Sequence, residues 1–477
     1  MHPPLSFRQL VAAAALGGVG AAAFPPLGLW PLIFVSLAGL LWLLSDATGA
    51  NGRLLAIIYG MAYAAGTMYW MVALFGGLAV GLMALMGVYL AVLAAAVTLS
   101  AGLRPWWRAL LVAVVAVGIE WLRGDAWYLR FPWYTPPHAL AQSPAMIASA
   151  RWLGVYGLSG VVWFLAAWLA FAERRSERLA AVLGLLLLPA ASLALPGFDA
   201  PNQTAILAQG EGWDRDRNLP AAAAVALEAS TEPADIVVLP ELAYHEEVET
   251  VLSSPRGPRS IAERSGAVVV CGAIRGLPGS ASHGPGEWQN VALVLAPGGE
   301  LLGCYVKQRP VPLFNDGVAG NSCDVFDLGD DQVLGVGICY DFDGPAVAAG
   351  LTSAGATVLA YPTADMISWG RMQHVHHELL TRLRAVENDR WVLRAASSGR
   401  TEVIDPHGRP SGNGLEFAER GHLRVEFGHR HSWSLGGRMH WLGPISAVAG
   451  CLVLVGLFLR RRQQGRAGAT HGSESAN

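Results

Sequence analysis

Three polar residues of complementary chemistry each follow a short apolar segment. Glu241 ends DIVVLPE, Lys307 ends LLGCYVK, and Cys339 lies near the end of QVLGVGICY. A carboxylate that takes a thiol proton, a thiolate that attacks a carbonyl carbon and an ammonium that stabilises the oxyanion form a complete set for acyl transfer. Taken singly, the three are also compatible with a strand-end charge, a solvated rim residue and a buried structural thiol.

The residues after Cys339 predict how its thiol is activated. An acid, a Gly-Pro pair and a stretch compatible with a short helix follow the cysteine. A helix N-terminus carries a partial positive charge, which favours a thiolate over a thiol. We therefore expect Cys339 to be a nucleophile at the mouth of a sheet.

The elements that must position these residues belong to an α/β domain, which we assign to residues 199–434. From Thr204 onward, short apolar segments of strand length are separated by Gly, Pro and acidic residues. Two stretches, 216–230 and 371–390, have the apolar spacing of helices instead. This pattern predicts an α/β sandwich whose sheets are covered by helices, with the three polar residues converging at strand ends.

The rest of the chain is far more apolar. Of the 477 residues, 53% are hydrophobic and 14% are charged, and the charged residues are sparse before residue 199. A membrane-spanning helix needs about 20 mostly apolar residues. The uncharged segments therefore predict eight spans, near residues 9–24, 27–45, 54–74, 78–102, 107–122, 155–172, 179–197 and 440–459.

These spans divide the chain into four parts. We expect a bundle of seven helices over residues 1–198, the α/β domain, a single span over 435–460 and a polar, disordered cytoplasmic tail over 461–477. Pro25-Pro26 is the expected break between the first two spans. A cleaved signal peptide is the alternative interpretation of the first span.

Arginine residues predict the orientation of the spans. They recur in every second connection, at Arg8, Arg53, Arg104 with Arg108, Arg174 with Arg175 and Arg178, and Arg460 to Arg462. The positive-inside rule places these connections in the cytoplasm and the α/β domain on the outer face, which is periplasmic in a cell with two membranes. We expect a multi-pass, monomeric protein of the inner membrane. The net charge of −3 gives no reason to expect a nucleic acid partner.

The cysteines and histidines do not predict a metal site. The five cysteines form no CxxC pair, and a disulfide among Cys271, Cys304 and Cys323 is an alternative to free thiols in the outer compartment. His374 and His377 would share one face of a helix, but no carboxylate or cysteine completes a convincing ligand set. We expect neither a metal nor another cofactor.

Short motifs along the chain resemble known families. LPE at 239–241, YVK at 305–307 and GICYD at 337–341 resemble the nitrilase superfamily, whose Glu, Lys and Cys triad occurs in this order. In the membrane part, FPPLGLWPL at 24–32, YGMAYAAGTMYW at 59–70, and EWLRG, FPW and LGVYGLSG within 120–160 resemble the apolipoprotein N-acyltransferase family. The resemblance covers nearly the whole chain.

The resemblance implies an activity and a role for each residue of the triad. A membrane phospholipid would donate an acyl chain, which would pass through a cysteine thioester to the α-amino group of the diacylglyceryl-cysteine of an apolipoprotein. Glu241 would be the general base, Lys307 the oxyanion stabiliser and Cys339 the nucleophile.

Four further residues are implied as supporting or substrate-contacting residues. Tyr340 and Asp341 fill the two positions after the cysteine. Trp213 is a candidate for substrate contact, with an ordinary surface or core aromatic as the alternative. Arg123 lies in an aromatic-rich segment at the outer interface, where such residues usually form a belt. The alternative is that Arg123 or Arg130 contacts a phospholipid phosphate beside the site.

The chain departs from the family pattern after the lysine. Where the family has VPFGE, this sequence reads VPLFNDG, so Asn315 falls at the position of the family glutamate and Asp316 follows it. Asp316 is therefore the candidate substitute for a second acid. The departure also motivates an alternative function, a membrane-tethered nitrilase-type amidase that hydrolyses a small amide with water as acceptor. A non-catalytic membrane scaffold is a third hypothesis, which the intact triad argues against.

Overall fold

The computed structural model describes residues 4–47, 49–278, 284 and 286–474. Before residue 199 the described chain is helical and closes around one apolar core. Its helices are α1 Phe7–Ala21, α2 Leu32–Ser45, α3 Gly49–Thr67, α4 Met71–Phe75, α5 Leu78–Leu99, α6 Pro105–Trp121, α7 Pro136–Leu140, α8 Pro144–Ile147, α9 Ala150–Phe171 and α10 Arg175–Leu187.

Each span predicted in this part overlaps one of these helices, and α1 and α2 are separated where Pro25-Pro26 predicts a break. Among the described residues, four helical segments are long and apolar enough to cross a membrane, namely Leu78–Leu99, Ala150–Phe171, Arg175–Ala194 and Leu435–Gln464. Shorter apolar helices cover Phe7–Ala21 and Leu32–Ser45. The number of eight spans stays a prediction.

The α/β domain contains two six-stranded sheets. The first has the order β14-β1-β4-β5-β6-β7 and the second the order β13-β12-β11-β10-β9-β8, while β2 and β3 form a separate hairpin. The strands are β1 Gln203–Gln209, β2 Trp213–Asp214, β3 Leu219–Pro220, β4 Ile236–Val238, β5 Val268–Gly276, β6 Trp288–Leu295, β7 Leu301–Val306, β8 Val325–Gly329, β9 Gln332–Val336, β10 Val358–Thr363, β11 Val392–Ala396, β12 Thr401–Ile404, β13 Pro410–Leu415 and β14 Gly421–Phe427.

The predicted sandwich is confirmed by how these sheets pack. Apolar side chains from both sheets form one core, and the outer face of the first sheet forms another with its covering helices. The helices of this domain are α11 Ala221–Ala229, α12 Val248–Ser253, α13 Pro258–Ser265, α14 Pro345–Ser353 and α15 Arg371–Asn388. Helix α15 connects the domain to the membrane half, because Leu379, Leu380, Leu383 and Val386 belong to the core of the helical bundle.

The chain ends in helices α16, Leu435–Arg438, and α17, Leu442–Glu474. Helix α17 is longer than expected, since the last span was predicted to end near residue 459. The prediction of a disordered tail over 461–477 is therefore wrong for residues 461–474, and 475–477 lie outside the described residues. Extending an existing helix adds one hydrogen bond per residue, and the Arg, Gln and Ala residues of this segment favour helix.

The fold brings several strand ends to one place. Strands β4 and β5 run parallel in the first sheet, and β9, β10 and β11 run parallel in the second. Glu241 follows β4, Cys339 follows β9 and Lys307 follows β7. The candidate site therefore lies where the carboxyl ends of strands from both sheets meet the membrane half.

Candidate active site

Lys307 is buried between two carboxylates, with 1% of its surface exposed. Its Nζ lies 2.7 Å from Glu241 Oε1 and 2.6 Å from Asp316 Oδ2. Asn290 Nδ2 donates to both acids, at 2.7 Å to Glu241 Oε1 and 2.9 Å to Asp316 Oδ1. Burial alone would lower the pKa of Lys307, but Asp316 and Glu241 raise it well above its ordinary value. The side chain is therefore held as an ammonium.

Glu241 is fixed through both of its oxygens. While Oε1 accepts from Lys307 and Asn290, Oε2 accepts from the backbone N–H of Ala364, which follows β10, at 2.8 Å. The turn after Glu241 passes very close to β5, since a Cβ at Gly272 would lie 2.2 Å from the backbone nitrogen of Leu242. A glycine at this position is thus needed to bring the carboxylate of the first sheet to the strand ends of the second.

Cys339 starts a 3-10 turn, Cys339–Phe342, in a left-handed backbone conformation with φ of 47°. Non-glycine residues rarely adopt this conformation, and it is concentrated at functional sites. The side chain is 3% exposed. Burial, and then the negative charge of Glu241, raise the pKa of the thiol well above its ordinary value, while Lys307 offsets part of this rise.

The expectation that a following helix favours the thiolate stays a prediction. Helix α14 begins at Pro345, after the 3-10 turn that starts at Cys339. A thiol that rests in its neutral form needs a base at the moment of attack. The negative charge of Glu241 acts on the thiol, which makes this carboxylate the candidate for that base.

Asp341 ties the turn of Cys339 to the loop after Lys307. The carboxylate is fully buried and accepts from the backbone N–H of Ile338 at 2.9 Å, and from the N–H of Gln308 at 3.1 Å and of Arg309 at 2.7 Å. The Tyr305 hydroxyl also donates to it, at 2.9 Å. Burial raises the pKa of Asp341 to about 6, against these hydrogen bonds.

Cys339 opens onto an apolar cavity that encloses about 920 Å³ of empty space, part of it open to solvent. Most of its walls come from the membrane half, and Tyr340 and Phe314 close it from the other side. The membrane-half residues include Met68, Trp70, Leu82, Met86, Phe131 and Trp133. Tyr340 also joins the two halves, since its hydroxyl donates to the backbone carbonyl of Arg130. The cavity can take a long apolar group whose carbonyl reaches the thiol.

Comparison with known proteins supports the same division of the chain. The apolipoprotein N-acyltransferase N-terminal domain matches residues 16–168, and the carbon-nitrogen hydrolase family matches residues 203–420. An apolipoprotein N-acyltransferase from Pseudomonas syringae pv. tomato is 29% identical over 93% of this chain and 95% of its own length. One from Nitrosomonas europaea is 29% identical over 84% of this chain and 88% of its own.

This chain belongs to the apolipoprotein N-acyltransferase family. Its α/β domain places it in the nitrilase superfamily. Among solved structures, an amidase from Nesterenkonia sp. is 24% identical, covers 48% of this chain and 92% of its own length, and aligns with a TM-score of 0.38.

Within this N-acyltransferase, two predicted supporting residues lie in different surroundings from those expected. Trp213 does not line the cavity at Cys339; its side chain is 51% exposed on the β2–β3 hairpin and lines a separate polar pocket. Arg123 does line the cavity, but it donates at 2.7 Å to the backbone carbonyls of Phe131 and Trp133. Arg123 thus shapes the cavity wall.

The cysteines and histidines of the N-acyltransferase are accounted for by ordinary contacts. All five cysteines, each within the described residues, are free. His374 bonds with the carbonyl of Met366 at 2.8 Å. Among the described residues, no group of His, Cys, Asp and Glu has the geometry of a metal site.

A buried network beside Cys339, whose His377 and Asp343 also line the cavity, was missed at the level of sequence. His377 lies between Asp365, at 2.7 Å from its Nδ1, and Asp343, at 2.9 Å from its Nε2. Asp365 also pairs with Arg394, and Asp343 accepts from the indole N–H of Trp133 at 2.5 Å. The available signal was Arg394, a charge in the middle of a short apolar strand. Its partners are distant in sequence and could not be named.

Proposed function

We propose that this N-acyltransferase takes an acyl chain from a membrane phospholipid onto Cys339 and passes it to the α-amino group of the diacylglyceryl-cysteine of an apolipoprotein. The observation that carries the proposal is the cavity at Cys339. The Cys339 thiol lines an apolar space whose walls come largely from the membrane half, and this supports an acyl chain as its substrate. A small soluble amide has no need of such a space.

In the first half-reaction, Glu241 takes the proton of the Cys339 thiol as Sγ attacks the ester carbonyl of the phospholipid. The bond from sulfur to the carbonyl carbon forms, and the developing oxyanion is stabilised by the Lys307 ammonium. The carbon–oxygen bond to the glycerol then breaks. Glu241 returns its proton to the departing alkoxide, so a lysophospholipid leaves and a thioester remains.

In the second half-reaction, the neutral amine of the acceptor attacks the thioester carbonyl. The carbon–nitrogen bond forms, the carbon–sulfur bond breaks, and Glu241 transfers the surplus amine proton to the thiolate of Cys339. The apolar walls of the cavity limit the access of water, which would otherwise hydrolyse the thioester. Both substrates are lipid-anchored, so a domain held at the bilayer gains effective concentration.

Arg130 is the residue we assign to the phosphate of the donor lipid. It lines the cavity of Cys339, and its buried Nε has no hydrogen-bond partner among the described residues. Guanidinium groups bind phosphate well. We expect Arg130→Gln to raise the KM for phospholipid about tenfold with little change in kcat, as measured by release of lysophospholipid. An equal fall in kcat and kcat/KM would contradict this role.

The cellular arrangement follows the arginine distribution. Eight spans, with the α/β domain on the periplasmic face of the inner membrane, would put Cys339 and its cavity beside the outer leaflet of that membrane. The apolar segments Leu78–Leu99, Ala150–Phe171, Arg175–Ala194 and Leu435–Gln464 support this arrangement. The site is complete within one chain, which supports a monomer.

Mass spectrometry of the intact protein tests the proposal. After incubation with phospholipid, the wild type should gain the mass of one fatty acyl group, which hydroxylamine removes, and Cys339→Ala should gain none. Adding a diacylglyceryl-cysteine peptide should discharge the thioester and yield an N-acylated peptide. Cleavage of a small soluble amide without any acyl-enzyme from phospholipid would favour the amidase alternative.

A further inference from the structure

A second cavity lies in the membrane half, next to the cavity of Cys339. It holds about 590 Å³ of empty space, part of it open to solvent, and is lined mainly by apolar and aromatic side chains of α2, α3, α5, α6 and α9. The two cavities share three wall residues, Met86, Tyr89 and Arg123. These three side chains are therefore the partition between an acyl site and a further apolar space.

The two cavities follow one another along a single face of α5. Leu82, Met86 and Tyr89 line the first cavity, and the second continues over Leu90 and Leu93. This spacing of three and four residues is one side of a helix. Leu82 and Leu93 are separated by about 16 Å at the α-helical rise of 1.5 Å per residue. An extended acyl chain that passes the partition would thus stay in contact with α5.

Most polar groups in the second cavity are already engaged, whereas the buried Tyr89 hydroxyl has no hydrogen-bond partner among the described residues. Glu120 accepts from the Ser159 hydroxyl at 2.6 Å and from the Trp163 indole at 2.8 Å. The Tyr59 hydroxyl bonds with Ser36 at 2.6 Å. Apart from the Tyr89 hydroxyl at the partition, what remains available in the cavity is apolar surface, which fits the distal methylene groups of a lipid chain.

Within the partition, Met86 is the side chain free to move. Arg123 is held by two backbone carbonyls, and Tyr89 packs edge-on against Trp127 with ring centroids 6.3 Å apart. The Met86 sulfur accepts one weak hydrogen bond, 3.9 Å from Arg123 Nη1, and its side chain otherwise packs against apolar residues of the bundle. An unbranched thioether with three rotatable bonds adapts easily to its surroundings.

We infer that Met86 determines the length of acyl chain that this enzyme accepts, by controlling entry of the chain end into the second cavity. The inference rests on the proposed function. A smaller side chain at position 86 joins the two cavities, so longer chains fit. A bulkier one closes the passage, so only shorter chains fit.

The test uses the full-length protein in nanodiscs that contain equal amounts of phospholipids with acyl chains of twelve to twenty carbons. Intact-mass spectrometry gives the distribution of chains on Cys339. Met86→Ala should shift the ratio of the longest to the shortest chains upward by about tenfold, and Met86→Trp should shift it downward, because single methylene groups are discriminated on that scale in apolar pockets. Met83→Ala, a neighbouring buried methionine of α5 that lines neither cavity, should leave the ratio unchanged.

Leu93→Trp separates this inference from an effect on folding or on the catalytic site. Leu93 lines the second cavity and not the first. A tryptophan that fills this space should therefore favour shorter chains while the amount of thioester stays normal. Unchanged chain distributions in Met86→Ala, Met86→Trp and Leu93→Trp, with normal thioester formation, would overturn the inference and leave the proposed function intact. Absence of any thioester in the wild type would overturn both.

Discussion

At the scale of single residues, the site depends on a shift of one position in the loop after Lys307. The resemblance to the VPFGE motif implies that Asn315 takes the position of the family glutamate, yet the structure brings the next residue, Asp316, to the ammonium. Asn315 instead accepts from the Trp288 indole at 3.2 Å. Leu313 has a φ of 70°, so the chain turns sharply just before these residues. The sequence could name both candidates, but only the path of this turn decides between them.

Replacing Asp316 should slow both half-reactions. Asp316→Ala removes one of the two carboxylates that hold Lys307, and the ammonium would then be drawn toward Glu241, the proposed base. We expect acyl transfer to fall about a hundredfold, the scale seen when one group that positions an oxyanion stabiliser is lost. Single-turnover mass spectrometry, which follows formation of the acyl-enzyme, measures this fall in acyl transfer.

Asn315→Ala is the matched control for this experiment, because it alters the neighbouring position and leaves both carboxylates in place. We expect it to retain most of the activity. Loss of activity in Asn315→Ala together with a fully active Asp316→Ala would mean that Asn315, and not Asp316, takes the place of the family glutamate.

At the scale of helices and strands, alternation of apolar segments and turn residues located the strands that form the centre of both sheets. It missed β8, β13 and β14, whose sequences contain Gly, Asp, Asn or Arg and whose faces are partly exposed. It also extended a helix over 216–230, where the structure has the β2–β3 hairpin and then α11. Edge strands and short hairpins are set by pairing with distant segments, which local periodicity does not report.

Helix α15 carries a histidine whose charge depends on the elements packed against it. Burial would lower the pKa of His377, but Asp365 and Asp343 raise it to about 9 from 6.5. Arg394 pairs with Asp365, and the Tyr361 hydroxyl lies 2.7 Å from His377 Nε2. With His377 protonated, two cations face two carboxylates in the buried network. The sequence showed three nearby histidines, but not which one meets carboxylates.

His377 should therefore make stability fall at alkaline pH. A group whose pKa is raised on folding contributes stability that is fully present below pH 6.5 and is lost as the pH rises through 9. A shift of this size corresponds to about 3 kcal/mol. Unfolding midpoints measured between pH 6 and 8, below the ordinary cysteine pKa of about 8.5, should decline for the wild type and stay nearly flat for His377→Gln.

The neighbouring histidine provides a control for that measurement. Burial lowers the pKa of His376 to about 4, so this side chain is neutral throughout the alkaline range. His376→Gln should thus keep the alkaline decline of the wild type. A variant of His377 that still shows the full decline would mean that another group titrates.

At the scale of the whole molecule, the membrane half and the α/β domain are joined by buried polar contacts around the site. Trp133 bonds with Asp343, Arg309 pairs with Asp125, and Arg151 pairs with Asp389. These contacts unite residues far apart in the chain. Sequence motifs predicted where each half lies in the chain. The surface that joins the halves, and with it most of the cavity wall, could be identified only from the structure.

Loss of one of these contacts should lower the free energy of unfolding far more than loss of an exposed ion pair. Arg151 and Asp389 are almost fully buried, at 8% and 0% side-chain exposure. Arg151→Ala should lower the free energy of unfolding by about 3 kcal/mol or more, since it leaves a buried carboxylate without one of its partners. Chemical unfolding in detergent measures the change.

An exposed pair within the α/β domain supplies the comparison. Arg424 lies 3.7 Å from Glu232, and the two side chains are 39% and 55% exposed. Arg424→Ala should cost no more than about 1 kcal/mol. Equal losses in the two variants would argue that the contact between the halves contributes little.

The ammonium between Glu241 and Asp316 has a consequence for an enzyme that stores a reactive thioester. Lysine occurs once in this sequence, at position 307, so no other lysine can capture the acyl group by migration from sulfur to nitrogen. The side-chain amine of Lys307 lies in the site, and it cannot act as a nucleophile because it is kept protonated. With one carboxylate neutralised, Asp316→Asn should slowly accumulate an acyl group on Lys307 that resists hydroxylamine. If every acyl group on this variant is removed by hydroxylamine, the second carboxylate is not what protects the enzyme from acylating itself.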